Sequence, residues 1–137
     1  MTPFVLDNSV TMRWCFENTS NPYAESILQQ LASGGDAVAP VLWQYEVGAV
    51  LAKAERSGAI SPGKAAEFLT ALRSFNIAID QDGTDRVLTE VYRLAIAYRL
   101  TGYDAVYLEL ALRKNLPLAT LDEDLARACR DAGGTVL

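Results

Sequence analysis

Asp7, Glu46, Asp104 and Asp122 each stand against apolar sequence, where an ionised carboxylate is costly to bury without a positive partner. Asp7 ends the run Phe4-Val5-Leu6, and Asp122 follows Leu118-Ala119-Thr120-Leu121. Glu46 interrupts a helical stretch in which its neighbours three and four positions away are Leu42, Trp43, Ala49 and Val50. Asp104 opens another apolar helix in Thr101-Gly102-Tyr103-Asp104-Ala105. Carboxylate oxygen is the ligand that Mg²⁺ and Mn²⁺ prefer. A cluster of such groups suits metal-assisted phosphoryl chemistry, and a nuclease above all.

Each acid also has a structural reading. Asp7 could cap the helix that follows, although Asn8 and Ser9 could serve there as well. Ser9 could orient Asp7, contact phosphate, or act as that cap. Thr101-x-x-Asp104 resembles a capping box. Thr120-x-x-Glu123 forms another, which would put Asp122 inside the first turn and leave its carboxylate free. Asp80, Asp82 and Asp85 read as a solvated turn after a strand.

The chain contains no histidine, which excludes histidine-based ribonuclease catalysis, Ser-His-Asp triads and histidine zinc sites. Carboxylates, Lys, Tyr and metal-activated water remain for acid–base work. The net charge of −5 gives no global basic footprint, so nucleic acid would have to be held by bound metal, local cations or an oligomeric groove. Arg13, on the helix after Asp7, is the best single candidate for a phosphate contact; Lys53, Arg56 and Arg99 read as solvated surface charges. Cys15 and Cys129 lack metal-like spacing and read as reduced helical residues. With 137 residues and no signal-like or membrane-spanning run, a single cytoplasmic domain over residues 1–137 is expected.

Strands and helices alternate around these acids. Strands are expected at Phe4–Asp7, Ala37–Ala39, Ile77–Ile79, Pro117–Thr120 and Thr135–Leu137. Helices are expected over Ser9–Phe16, from Pro22 behind the cap Asn21 to a stop at Gly34-Gly35, and over Val41–Arg56. Further helices should start at Ser61-Pro62 and run over Thr84–Arg99, Asp104–Lys114 and Asp122–Ala132. The alternation implies an α/β fold, a three-layer α/β/α sandwich around a mostly parallel five-stranded sheet. Ligands in such sheets bind beyond the carboxyl ends of the strands, where Asp7 and Asp122 fall. Trp14 and Phe16 read as core residues or, alternatively, as the apolar groove of a partner helix.

Four segments together resemble a PIN domain of the VapC toxin type. They are Phe4–Val10, Ala39–Val47, Leu100–Ala111 and Leu116–Asp122, with Asp7, Glu46, Asp104 and Asp122 all in place. The resemblance implies that these four acids bind Mg²⁺ or Mn²⁺, with Ser9 and Thr120 as the hydroxyls beside them. It further implies an endoribonuclease that leaves 5′-phosphate and 3′-hydroxyl ends, is held inactive by a cognate antitoxin protein and is commonly a homodimer. In that reading Asp7 and Asp104 hold the first metal, Glu46 orients or deprotonates the water, and Asp122 completes the ligand shell. Two rivals remain: a metal-dependent DNA nuclease on the same scaffold, and a non-catalytic PIN-like module that binds RNA or protein.

Overall fold

The computed structural model describes residues 2–82 and 84–137. Strand β1 (Phe4–Leu6) is wholly buried and leads into the one-turn helix α1 (Asn8–Thr11). Two 3-10 turns follow before α2 (Pro22–Ala32), which starts where Asn21 accepts the Ala24 amide and Pro22 occupies the first turn. Then come β2 (Asp36–Pro40), α3 (Val41–Arg56), α4 (Pro62–Ser74) and β3 (Asn76–Asp80). The last part is α5 (Thr84–Tyr98), α6 (Gly102–Lys114), β4 (Leu118–Ala119) and α7 (Glu123–Asp131).

All strand pairs are parallel, in the order β3-β2-β1-β4. The chain steps outward from β1 through β2 to β3, then returns across the sheet to place β4 on the other side of β1. Right-handed crossovers put the connections for the two directions on opposite faces. Helix α6 packs across β2, β1 and β4, while α2, α3 and α4 accompany β2 and β3. The reversal between β1 and β4 is a topological switch point, where α/β sheets open their binding crevice.

The sheet has four strands rather than the expected five. Thr135–Leu137 meets β4 through a single bridge, Leu118 to Val136, with two backbone hydrogen bonds of 2.8 and 2.9 Å. β4 itself is two residues long, so it offers its neighbour too short an edge for a ladder. The expected Ser9–Phe16 helix divides at Met12 into α1 and a 3-10 turn, and Cys15 falls outside both. Trp14 is half-buried against the core, and its indole donates to the Ala24 carbonyl at 2.8 Å. That is the packing role expected of it, and it ties the turn to α2.

Helix α6 is the central helix of the fold. Ala105, Tyr107, Leu108, Glu109, Leu110 and Ala111 are all buried, which explains an apolar sequence with little one-sided character. Its N-cap is Thr101, and it closes at Asn115 in the left-handed conformation, φ 53°. Among the described residues no helix is long and apolar enough to cross a membrane.

Candidate active site at the β1/β4 switch point

Asp7 leaves the end of β1 with 5% exposure. It occupies the N-cap position of α1, yet its side chain makes no capping bond. Instead its Oδ2 accepts the hydroxyls of Ser9 at 2.6 Å and Thr120 at 2.7 Å. Ser9 Oγ in turn accepts the Leu121 amide at 3.0 Å, and Thr120 Oγ1 accepts the Asp122 amide at 3.0 Å. Two short side chains therefore stitch the exits of β1 and β4 together around one carboxylate. Backbone bonds from Val5 to Pro117 and from Asp7 to Ala119 fix the register below them.

Glu46 arrives from α3. The helix is anchored one turn earlier by Trp43, whose buried indole donates to Thr11 Oγ1 at 2.9 Å. Glu46 is half-buried, and Oε1 accepts the hydroxyl of Tyr107 at 2.5 Å. Asp104 lies in the first turn of α6, where its amide donates to the Thr101 cap at 3.1 Å. Asp122 is the N-cap of α7, not a residue of its first turn, and its Oδ1 accepts the Leu125 amide at 3.1 Å. Thr120 cannot cap that helix because its hydroxyl is already committed to Asp7 and the Asp122 amide.

Burial and the charge of neighbouring acids act on three of these carboxyls in the same direction. Burial pushes the Asp7 carboxyl above the ordinary carboxylate range; Ser9 and Thr120 pull it back and the charge of Asp122 raises it further. Glu46 is raised by burial, lowered by Tyr107, and raised again by Asp7 and Asp104. Asp104 is raised by burial and then by Asp122, with Thr101 opposing and Asp7 adding to the rise. No cation is among the causes of these three shifts. Neighbouring negative charge thus adds to burial at all three carboxyls.

Among the described residues no three Asp, Glu or Cys side chains form a preassembled metal cage. The donor chemistry still suits Mg²⁺, which takes one or two carboxylates and keeps several waters rather than filling an all-protein cage. Asn8 adds a buried side-chain oxygen, Oδ1, that has no hydrogen-bond partner, directly after Asp7.

Arg13 is exposed on the 3-10 turn and makes no ion pair among the described residues. Lys53, Arg56 and Arg99 are exposed, as expected of surface charges. Asp80 departs from expectation. It ends β3 with its side chain only 7% exposed, clamped by Arg113 at 2.6 Å. Arg113 also grips the buried Glu109 at 2.9 Å, and Lys114 reaches Asp82 at 2.8 Å.

Two neighbours escaped the reading of the sequence. Tyr107 is 1% exposed and looks like a core aromatic until its hydroxyl is seen on Glu46. Its position three residues after Asp104, on the same helix face, is the one signal that marked it. Arg130 lines a cleft of about 550 Å³ with Tyr23, Thr120 and Asp122. Nothing in the local sequence separates it from other helix-end arginines.

The sequence profile of the PIN domain family matches residues 4–131. Ribonuclease VapC3 of Pyrobaculum aerophilum is 35% identical over 82 residues, 60% of this chain and 63% of that protein, so the match spans a little under two thirds of that curated relative. Among solved structures, PAE2754 from Pyrobaculum aerophilum superposes with a TM-score of 0.71 at 24% identity, covering 93% of this chain and 84% of the other. A toxin–antitoxin complex from Klebsiella pneumoniae gives 0.65 at 19% identity, covering 98% and 96%. At these identities the two superpositions speak to the fold alone.

Proposed function

The chain belongs to the PIN domain family, and from that premise we propose that it is a Mg²⁺- or Mn²⁺-dependent endoribonuclease acting as the toxin of a toxin–antitoxin pair. The observation that carries the reading is that Asp7, Glu46 and Asp104 all have carboxyl pKa values raised by burial and by neighbouring carboxylate charge, with Asp7 at the β1/β4 switch point. The names of the relatives, a ribonuclease and a toxin–antitoxin complex, support the substrate class and the antitoxin partner.

Asp7, Glu46, Asp104 and Asp122 are the residues that would hold the metal. When bound, it would supply an activated water and charge stabilisation on the phosphate. Asp7 is held in one orientation by Ser9 and Thr120, both of which bond Oδ2 and leave Oδ1 out of that pairing. Glu46, fixed by Tyr107 through Oε1, has Oε2 outside that bond and is suited to accept a proton from the attacking water. Asp122 is restrained by its capping bond and contributes charge more than mobility. Ser9, Thr120 and Arg13 remain the candidates for phosphate contact, with Arg130 added by the cleft beside Asp122.

Cleavage of a cellular RNA pool by purified protein tests the reading, run with Mg²⁺ or Mn²⁺, with chelator, and with Asp7→Asn and Asp104→Asn. Metal-dependent cutting that both substitutions abolish supports it. Cutting that survives both removes this site from the reaction, and cutting of DNA in preference to RNA moves the substrate class.

A further inference from the structure

The cleft of about 550 Å³ beside Asp122 runs between Tyr23, at the start of α2, and Asp122, Ala126 and Arg130 along α7. Those three residues of α7 are spaced by four, so they share one face of the helix. With a rise of about 1.5 Å per residue, Arg130 stands roughly 12 Å along the helix axis from Asp122. The small side chain of Ala126 leaves the floor between them open. Thr120, which holds Asp7, lines the same cleft and makes it continuous with the acids.

Arg130 is exposed, and it is the one cation among the described residues that line the cleft. It makes no ion pair among the described residues, whereas Arg127, on the same helix, is bound to Asp124 at 2.9 Å. The sequence explains the difference: three and four positions before Arg130 stand Arg127 and Ala126, so no acid is within helical reach. A cation in the last turn suits the helix dipole on any face of that turn. The dipole therefore does not account for its place in the cleft.

Tyr23 is held in position. Its hydroxyl donates to the Leu137 carbonyl at 2.9 Å, and the indole of Trp14 braces the next residue by donating to the Ala24 carbonyl at 2.8 Å. Burial raises the Tyr23 hydroxyl above its ordinary range, the Thr120 backbone and the charge of Arg130 lower it, and Asp7 raises it. A fixed aromatic ring beside an unpaired arginine supplies what single-stranded nucleic acid needs, a platform for a base and a cation for a phosphate. A cleft of this volume takes one small ligand, which suits a single nucleotide and not a duplex. We propose that it is a subsite for single-stranded RNA, in which Arg130 holds the phosphate of a nucleotide flanking the scissile bond and the Tyr23 ring carries its base. The proposal rests on the nuclease reading and gives a chain of net charge −5 a local cation for its substrate.

Equilibrium binding of a short, fluorescently labelled single-stranded RNA of mixed sequence tests it. The full chain carries Asp104→Asn so that the RNA is not consumed, and circular dichroism checks each further variant. Arg130→Gln should weaken binding severalfold and make the slope of log K against log salt shallower by about 0.7, the share of one phosphate on a single strand. Arg127→Gln, which removes a charge already paired on the helix, should leave that slope unchanged. Tyr23→Leu should weaken binding by roughly fivefold to a hundredfold, as the base loses its platform, and Tyr23→Phe should recover most of the loss because the ring remains. With Asp104 intact, Arg130→Gln should raise KM for RNA more than it lowers kcat, the mark of a contact made before the reaction begins. A salt slope indifferent to Arg130→Gln overturns the proposal, and so does a Tyr23→Phe variant that binds as poorly as Tyr23→Leu. Either result leaves the nuclease reading standing where the wild type cuts RNA with metal. A wild type that neither binds nor cuts RNA removes that reading and the subsite with it.

Discussion

Thr120 donates its hydroxyl to Asp7 at 2.7 Å across the gap between the ends of β4 and β1, joining two residues 113 positions apart. The same oxygen accepts the amide of Asp122, so one threonine sets the position of two acids. Replacing it with valine keeps the shape and removes both bonds. We expect Thr120→Val to cost about 1–3 kcal/mol, because a buried carboxylate loses a donor and an amide loses its acceptor. Urea unfolding measures the first effect. RNA cleavage should fall further than that loss of stability explains, since Asp7 becomes free to rotate.

Tyr107 gives a second test. Tyr107→Phe deletes one oxygen from a buried ring and leaves Glu46 without its only described donor. The fold should survive, with a melting temperature lowered by a few degrees. Mn²⁺ binding, followed by calorimetry, should weaken, and cleavage should fall by tenfold or more. Wild-type metal affinity and rate in this variant would reduce Tyr107 to a packing residue.

Stability should depend on pH in a direction set by the raised carboxyls. Asp7, Glu46 and Asp104 bind their protons more tightly folded than unfolded. The native state therefore holds more protons than the unfolded one from the ordinary carboxylate range up to the raised values. Over that window the cluster's contribution is present at the acid end and lost as pH rises through the folded pKa values. Metal-free protein should accordingly gain stability at neutral pH from Asp104→Asn. Wild-type protein at neutral pH should gain it from Mg²⁺, by about 2.7 kcal/mol at one hundred times the dissociation constant. Thermal melts across pH, with and without chelator, read both effects.

Arg113 should matter to stability rather than to the reaction. It satisfies Asp80 and Glu109, whose side chains are each only 7% exposed. Arg113→Met would strand Glu109 and leave Asp80 with Lys114 alone at 3.7 Å, at a cost of about 3–5 kcal/mol. Adding Glu109→Gln and Asp80→Asn should recover much of that loss, because the uncompensated charge goes with them. Equilibrium unfolding of the single and triple variants decides it.

Much of this was legible in the chain. Helix α3 keeps the bounds Val41–Arg56, and the caps Asn21, Ser61 and Thr101 all accept the amides their positions imply. These signals are local, so they survive folding unchanged. Thr135–Leu137 reads as a strand by composition, but strand formation depends on its partner, and β4 is too short to pair with more than Val136. The capping box at Thr120 failed for a tertiary reason: its hydroxyl had a better acceptor 113 residues away. Asp80 reads as a solvated turn because Arg113, which buries it, lies 33 residues further on. The bond from Tyr107 to Glu46 spans 61 residues, and its one local signal was the spacing of three from Asp104 on the same helix.

The order of the four acids along the chain has a consequence for synthesis. Asp7 is made first, but the hydroxyl that orients it belongs to Thr120, and Asp122 comes later still. β4 is also the strand that turns the end of β1 from a sheet edge into a crevice. A growing polypeptide therefore carries three of its acids without the geometry that aligns them, and the centre closes only when the segment around Thr120 has emerged and paired with β1. On the reading proposed above, a ribonuclease assembled in this order stays inert toward the message that encodes it until nearly all of the chain described here has been translated.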